Sequence, residues 1–321
     1  MVVVISKRWV NLSQRQKMTA KNVKIEVKNI DHLGLVAGII DEMGLVDIIN
    51  ELVGIERGEI VSAGVVVKEI ILNGLGFVSR PLYLFPQFFE DKATEHLLGK
   101  GIKPEHLNDD KIGRVMDKLY VQGTRNVFMS IALAAVKKYG IETKNLHLDS
   151  TSFCLEGKYE YQDNGWSINI AEKGSINQEQ YQGKQPLKVG FGYSRDRRPD
   201  LKQFIVDLVV SGDSNIPLFF RSADGNKSDK AVFGKIIASL KSEIDLDSIW
   251  VADSALYSQG NLQLIKDVKW ITRVPLSIKE AQDLVTTVDP QELVKSQVNG
   301  EHPILEKTLP NKRHDKGFSF L

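Results

Sequence analysis

The sequence predicts a mixed α/β sheet with flanking helices, preceded by an all-α region, and three observations predict it. From about residue 30 to 140, apolar residues recur at helical spacing. After residue 145, short apolar runs alternate with helical patterns. The chain has 321 residues and no internal repeat or low-complexity run, enough for two modest domains, each with its own core.

Taken in order, Asp31 is placed to cap a first helix whose Val36, Ile39, Ile40 and Met43 share one face. Val65, Val66, Ile70 and Ile71 predict a second helix, which Gly64 and Gly74 weaken. The aromatic, proline-broken RPLYLFPQFF leads towards Asn108, the expected cap of a helix through Tyr120. Val127, Phe128, Ile131, Ala134 and Ala135 form another stripe, closed by Gly140. Strands are predicted at 146–155, 187–193, 203–210 and 249–253, with a short one at 270–273. Between the third and fourth, Val232, Phe233, Ile236, Ile237 and Leu240 make one helix face, with Ser228 or Asp229 as its cap.

Composition excludes several classes. Lys+Arg 42 against Asp+Glu 41 gives no global attraction to nucleic acid, so such binding must come from local clusters. The single cysteine, Cys154, excludes an internal disulfide and a cysteine zinc site, and fits core packing in a reducing cytosol. The opening MVVVIS precedes Lys7 and Arg8, the wrong order for a signal peptide, and no apolar run reaches membrane-spanning length. The expected location is therefore cytoplasmic, without a membrane partner.

Two acids stand out. Asp149 lies inside the strand pattern NLHLDSTSF, and Asp253 lies at the carboxyl end of the apolar IWVA, where ligand sites of α/β sheets concentrate. If the first and fourth strands are parallel neighbours, these carboxylates converge and can hold hard divalent cations. The plainer reading is that each acid caps a turn or faces solvent. His147 would share the side of Asp149, although a structural role suits it as well. Histidines 32, 96, 106, 302 and 314 show no ligand spacing.

KQPLKVGFGYSRDRRPDLKQ gathers Lys184, Lys188, Arg195, Arg197, Arg198 and Lys202 against Asp196 and Asp200. Such a cluster near metal-binding acids would contact a phosphate backbone, while the alternative is a solvated hairpin tip. Gly190 and Gly192 lack the third glycine and the helix of a dinucleotide fingerprint. A magnesium phosphatase with Asp149 as nucleophile fails on pattern, because position 151 is Thr rather than a second acid.

The blocks HLDSTSF, GYSRDRRPDLKQF, SADGNKSDKAVF, VADSALYS and WITRVPLSIKEAQDL, in this order, resemble the DDE transposases of bacterial and archaeal insertion sequences. The stretches NIDHLGLVAGIIDEMGLVDIINELVG and LNDDKIGRVMDKLY resemble the helical domain preceding the catalytic domain in one branch of that group. The resemblance covers about residues 28 to 298. It implies an RNase H-like fold in which Asp149 and Asp253 are the first two acids of a triad and hold magnesium or manganese. It also implies cleavage at a transposon end and attack of the freed 3′ hydroxyl on target DNA. Arg273, after the fifth strand, could contact phosphate. The implied partners are transposon terminal inverted repeats and target DNA, with a homodimer on DNA.

With the resemblance, the chain divides into a leader without structure over 1–27, a helical domain for end binding or dimerisation over 28–142, and an incomplete catalytic domain over 143–298. An atypical tail covers 299–321. In HDKGFSFL, Asp315 stands in the place of the family's third acid, a glutamate, but Thr308 and Asn311 replace its usual companions and the preceding β-rich insertion is missing. Glu280 is a further acid on an expected helix surface. The expectation is a truncated transposase; the alternative is a non-catalytic fragment that occupies transposon ends or dimerises, and so inhibits transposition.

Overall fold

The computed structural model describes residues 27–157, 187–194, 197–227, 232–243, 247–295, 303–304, 307–309 and 318–320. The chain separates into two compact units, the first ending at Asp117 and the second starting at Lys118.

The first unit is helical: α1 (Leu33–Met43), α2 (Leu45–Val53), α3 (Ala63–Gly74), α4 (Phe85–Phe89) and α5 (Thr94–Leu98). Its interior includes the fully buried Leu33, Ile49, Leu72, Phe85, Phe89 and Leu97. Gly44 ends α1 in the left-handed conformation (φ 71°), a backbone geometry that a residue without Cβ adopts at no steric cost. Gly64 lets α3 cross α2, since a Cβ there would collide with the Val46 carbonyl. Ser62 Oγ caps α3 by accepting the Val65 N–H at 3.5 Å.

Asp31 does not cap α1. Its φ is 52°, so it turns the chain, and His32 takes the cap position. The face that α1 buries is Leu33, Ala37 and Ile40, which leaves Ile39 exposed. Asn108 does cap: its Oδ1 accepts the Lys111 N–H at 2.8 Å at the start of α6 (Asp109–Gln122), the helix that carries the division between units.

The second unit contains α7 (Thr124–Tyr139), β1 (Asn145–Leu155), β2 (Lys202–Ser211), β3 (Pro217–Asp224), α8 (Phe233–Glu243), β4 (Ile249–Ala252), α9 (Gln259–Leu264), β5 (Lys269–Thr272) and α10 (Lys279–Thr287). The division at 117/118 falls ahead of the 142/143 boundary expected from the sequence, because α7 packs on β3 and sends Met129 into the sheet's core. The five strands run in the order β3-β2-β1-β4-β5. β1, β2 and β3 are antiparallel neighbours, whereas β4 is parallel to β1 and β5 to β4. Leu146, Leu148, Val209, Phe219, Trp250 and Ala252 form a core on one face with Phe233, Ile236, Ile237 and Leu240 of α8. This is the mixed, helix-flanked sheet that the sequence predicts. Short pairs follow at Val294–Lys295 with Pro303–Ile304 and at Lys307–Leu309 with Phe318–Phe320.

The strand expected at 187–193 is absent from its described residues. Gly190 alone bridges Gln203, with N–H···O distances of 3.1 and 2.9 Å. The segment crosses close to the backbone of Gly225, and a Cβ at Gly192 would strike the Gly225 carbonyl. The third strand is instead PLFFRSAD at 217–224, hidden in the sequence by Pro217 and by the polar Arg221 and Ser222. Ser228 and Asp229, the candidate caps, lie outside the described residues, as does the whole of 1–26.

Candidate functional site

The parallel ladder joins Asn145 to Ile249, Leu146 to Trp250, His147 to Val251 and Leu148 to Ala252. Asp149 and Asp253 are therefore the next residues on two neighbouring strands, where chains lie about 4.8 Å apart. Leu148 and Ala252 just before them are buried, and both acids are exposed. The alternation of β1 explains this directly: 145, 147, 149 and 151 are exposed, and 146, 148 and 150 are buried. His147 thus shares the side of Asp149, as expected.

Each acid is oriented by local backbone. Asp149 Oδ1 accepts its neighbour Ser150 N–H at 2.8 Å. Asp253 Oδ1 accepts the Ala255 N–H at 2.9 Å, in the turn that opens where β4 ends. The Thr272 hydroxyl donates to the Asp253 carbonyl at 2.6 Å and ties the end of β5 to that turn. Arg273 follows, and its Nη2 lies 3.3 Å from Ser254 Oγ, so a guanidinium stands one residue from the second acid. Tyr257, in the same turn, has its phenol pKa pushed up by burial and further by the charge of Glu280. Glu280 is exposed at the start of α10 and is close enough to be felt at this turn.

Among the basic residues, Lys188 is exposed and donates its backbone N–H to Asp224 Oδ1 at 3.0 Å. Arg197 is exposed, and Arg198 is held by Asp200 at 2.8 Å, a hydrogen bond that raises the arginine pKa further and lowers that of the acid. Lys202 opens β2 opposite Leu155. Lys184, Arg195 and Asp315 lie outside the described residues. The structure therefore brings Asp149, Asp253 and Arg273 to one end of the sheet, and places Lys188, Arg197, Arg198 and Lys202 at the approach to β2.

Two carboxylates from adjoining strands fit a magnesium-type ion, which takes one or two carboxylates and keeps water for its other positions. No group of three or more His, Cys, Asp or Glu that could hold a metal occurs among the described residues. The sequence also hides a polar row behind the first acid. Ser150, Asp207 and Arg221 stand opposite one another across β1, β2 and β3. Ser150 Oγ donates to Asp207 Oδ1 at 2.5 Å, and Arg221 binds Asp207 Oδ2 through both Nε, at 2.8 Å, and Nη2. The signal available was Asp207 itself, a second lone acid inside the strand pattern KQFIVDLVVS.

A model of a domain of unknown function (DUF4277) matches residues 25–133. No curated protein matches the chain. Among solved structures, the chain is similar to a piggyBac transposase synaptic complex with hairpin DNA, at 7% identity and TM-score 0.33, over 86% of this chain and 49% of that one. It is also similar to a Mos1 transposase paired-end complex with the left transposon end, at 11% identity and TM-score 0.23, over 77% and 78%. A Mos1 mariner paired-end complex with Mn gives 10% identity and TM-score 0.23, over 78% of each chain. The chain spans about half the length of the piggyBac transposase chain. The fold is defined by the strand order and register of the five-stranded sheet. No described helix is long and apolar enough to cross a membrane.

Proposed function

We infer that the second unit is a transposase catalytic domain of the DDE, RNase H-like kind, which cleaves DNA phosphodiesters and transfers strands with a divalent metal. One observation carries the reading: the β1/β4 ladder delivers Asp149 and Asp253 to adjacent exposed positions. The five ordered motif blocks from HLDSTSF to WITRVPLSIKEAQDL support it independently.

In this reading Asp149 and Asp253 hold Mg²⁺ or Mn²⁺. When bound, such an ion lowers the pKa of a water nucleophile and offsets charge on the phosphoryl oxygens. The chain's own residues position the DNA. Arg273, beside Ser254, contacts a phosphate near the reacting group, and Lys188, Arg197, Arg198 and Lys202 hold the backbone further along. Arg195 and the third acid at Asp315 belong to the same proposal. The partners are the transposon's terminal repeats and target DNA, engaged by a homodimer at the nucleoid.

Over residues 1–117 the first unit carries 15 Lys and Arg against 16 Asp and Glu, with six of those cations and one acid ahead of residue 27, so a basic stretch of sequence precedes an acidic one. The acidic stretch from residue 27 suits dimerisation better than a phosphate contact.

The test is nicking of linear transposon-end DNA with Mn²⁺. Asp149→Asn and Asp253→Asn should each lower the rate by more than ~100-fold, beyond the ~10- to 100-fold cost of altering a group that merely supports a ligand. Metal-dependent nicking indifferent to both substitutions would rule the site out.

A further inference from the structure

We propose that Phe153 is a stacking platform for an unpaired base of the DNA strand whose phosphate lies at Asp149 and Asp253. The inference deepens the cleavage reading above and rests on it. Phe153 occupies an exposed position of β1, on the same face as Asp149 and Thr151. It lies four residues beyond Asp149, about 13 Å at ~3.3 Å per residue. That separation is spanned by at most about four nucleotides at the ~3.4 Å rise of a duplex strand, and by fewer in an extended one.

Three features favour a base over an ordinary cross-strand contact. First, the β4 ladder ends at Leu148, so past Asp149 that flank of β1 has no strand neighbour among the described residues. Second, Phe204 stands directly opposite, with ring centroids 5.3 Å apart and planes 14° from parallel. It braces one side of Phe153, which is nevertheless 49% exposed. A rigid aromatic ring held open to solvent is what sequence-independent binding of single strands uses, because every base offers a π-face. Third, cations that can meet phosphate stand nearby: Lys202 lies two residues before Phe204 on the same face, and the exposed Arg197 and Lys188 occupy the adjoining approach, beside an Arg198 that is paired with Asp200 and near Glu156. A purely apolar partner would not require that charge.

The experiment measures binding of the full chain, without metal, to a fluorescent oligo-dT and to a blunt duplex of equal length. Phe153→Leu keeps the apolar packing but removes the aromatic face, so a melting curve like that of the unsubstituted chain separates stacking from folding. The expected result is a five- to hundredfold loss of single-strand affinity for Phe153→Leu and Phe153→Ala, the loss that removing one base–aromatic stack produces. Duplex affinity should change less than twofold, and Phe153→Trp should retain single-strand binding. Equal losses on both DNAs, no loss on either, no single-strand binding at all, or a Phe153-dependent change of oligomeric state in place of DNA binding would each overturn the assignment. Nicking by the unsubstituted chain is measured alongside. Phe153-dependent binding without nicking would remove the cleavage reading and with it the placement of the bound strand at Asp149 and Asp253, leaving a single-strand stacking site; nicking with binding that ignores Phe153 would remove the platform alone.

Discussion

Glu69 in α3 and Asp207 in β2 are both 1% exposed, one in each unit, yet their surroundings are opposite. Asp207 receives the Ser150 hydroxyl and the Arg221 guanidinium. Neither oxygen of Glu69 has a hydrogen-bond partner among the described residues. The sheet explains the first case, because register sets Ser150, Asp207 and Arg221 in one cross-strand row. On a helix, the neighbours of Glu69 are fixed by spacings of three and four residues. Those include Val65, Val66 and Leu72, all buried and apolar. The polar one, Asn73, is already engaged by the Arg80 backbone, donating at 2.8 Å and accepting at 2.9 Å. Burial without a partner pushes the Glu69 carboxyl up to about 8. The comparison teaches that the sheet unit fixes charge behind its candidate site, while the helical unit buries a proton.

The largest test of that contrast is Glu69→Gln. A folded pKa above the ordinary value of 4.5 means that the native state binds the proton more tightly. Stability from this group is full below about pH 4.5 and falls as pH rises towards 8. Glu69→Gln should abolish that slope and stabilise the protein by up to about 4 kcal/mol at pH 9, with little change at pH 4. Urea unfolding at both pH values reads it, and a parallel shift at both would refute the buried proton.

Asp207→Ala comes next. It strands Arg221 and Ser150, and should cost about 3 kcal/mol, the low end for a broken buried pair, since Arg221 is 32% exposed. Because Ser150 follows Asp149, manganese-dependent nicking should also weaken in a variant that still melts cooperatively. A smaller effect is expected from Asp41→Asn. Lys68 is buried and bonded to Asp41 at 2.5 Å, but Asp41 is exposed, so the loss should be about 1–2 kcal/mol by thermal melting. The smallest belongs to Asp247→Ala, whose partner Lys269 at 2.8 Å is also exposed. Its melting curve should overlay that of the unsubstituted chain. A clear shift there would show that an exposed pair in this sheet stabilises more than surface pairs ordinarily do.

Legibility in the sequence followed the range of the interactions. The face of α8 was readable because Phe233, Ile236, Ile237 and Leu240 repeat within one helix, and all four are buried. Asn108 was readable as a cap because its partner is three residues away. Asp31 was misread because a left-handed turn and a cap share the same residue preferences. β3 was missed because its polar residues have their reason on another strand: Arg221 exists for Asp207.

The sequence by itself determined that a helical region precedes an α/β sheet, and that Asp149 and Asp253 each sit on or at the end of a strand. Periodicity and capping act over a few residues, so the linear order records them. Only the tertiary structure decided that β4 lies parallel beside β1 with Leu148 opposite Ala252, that Ser150 faces Asp207, and that Phe204 braces an exposed Phe153. Strand order and register depend on burying one face of the whole sheet at once, and no single segment carries that information.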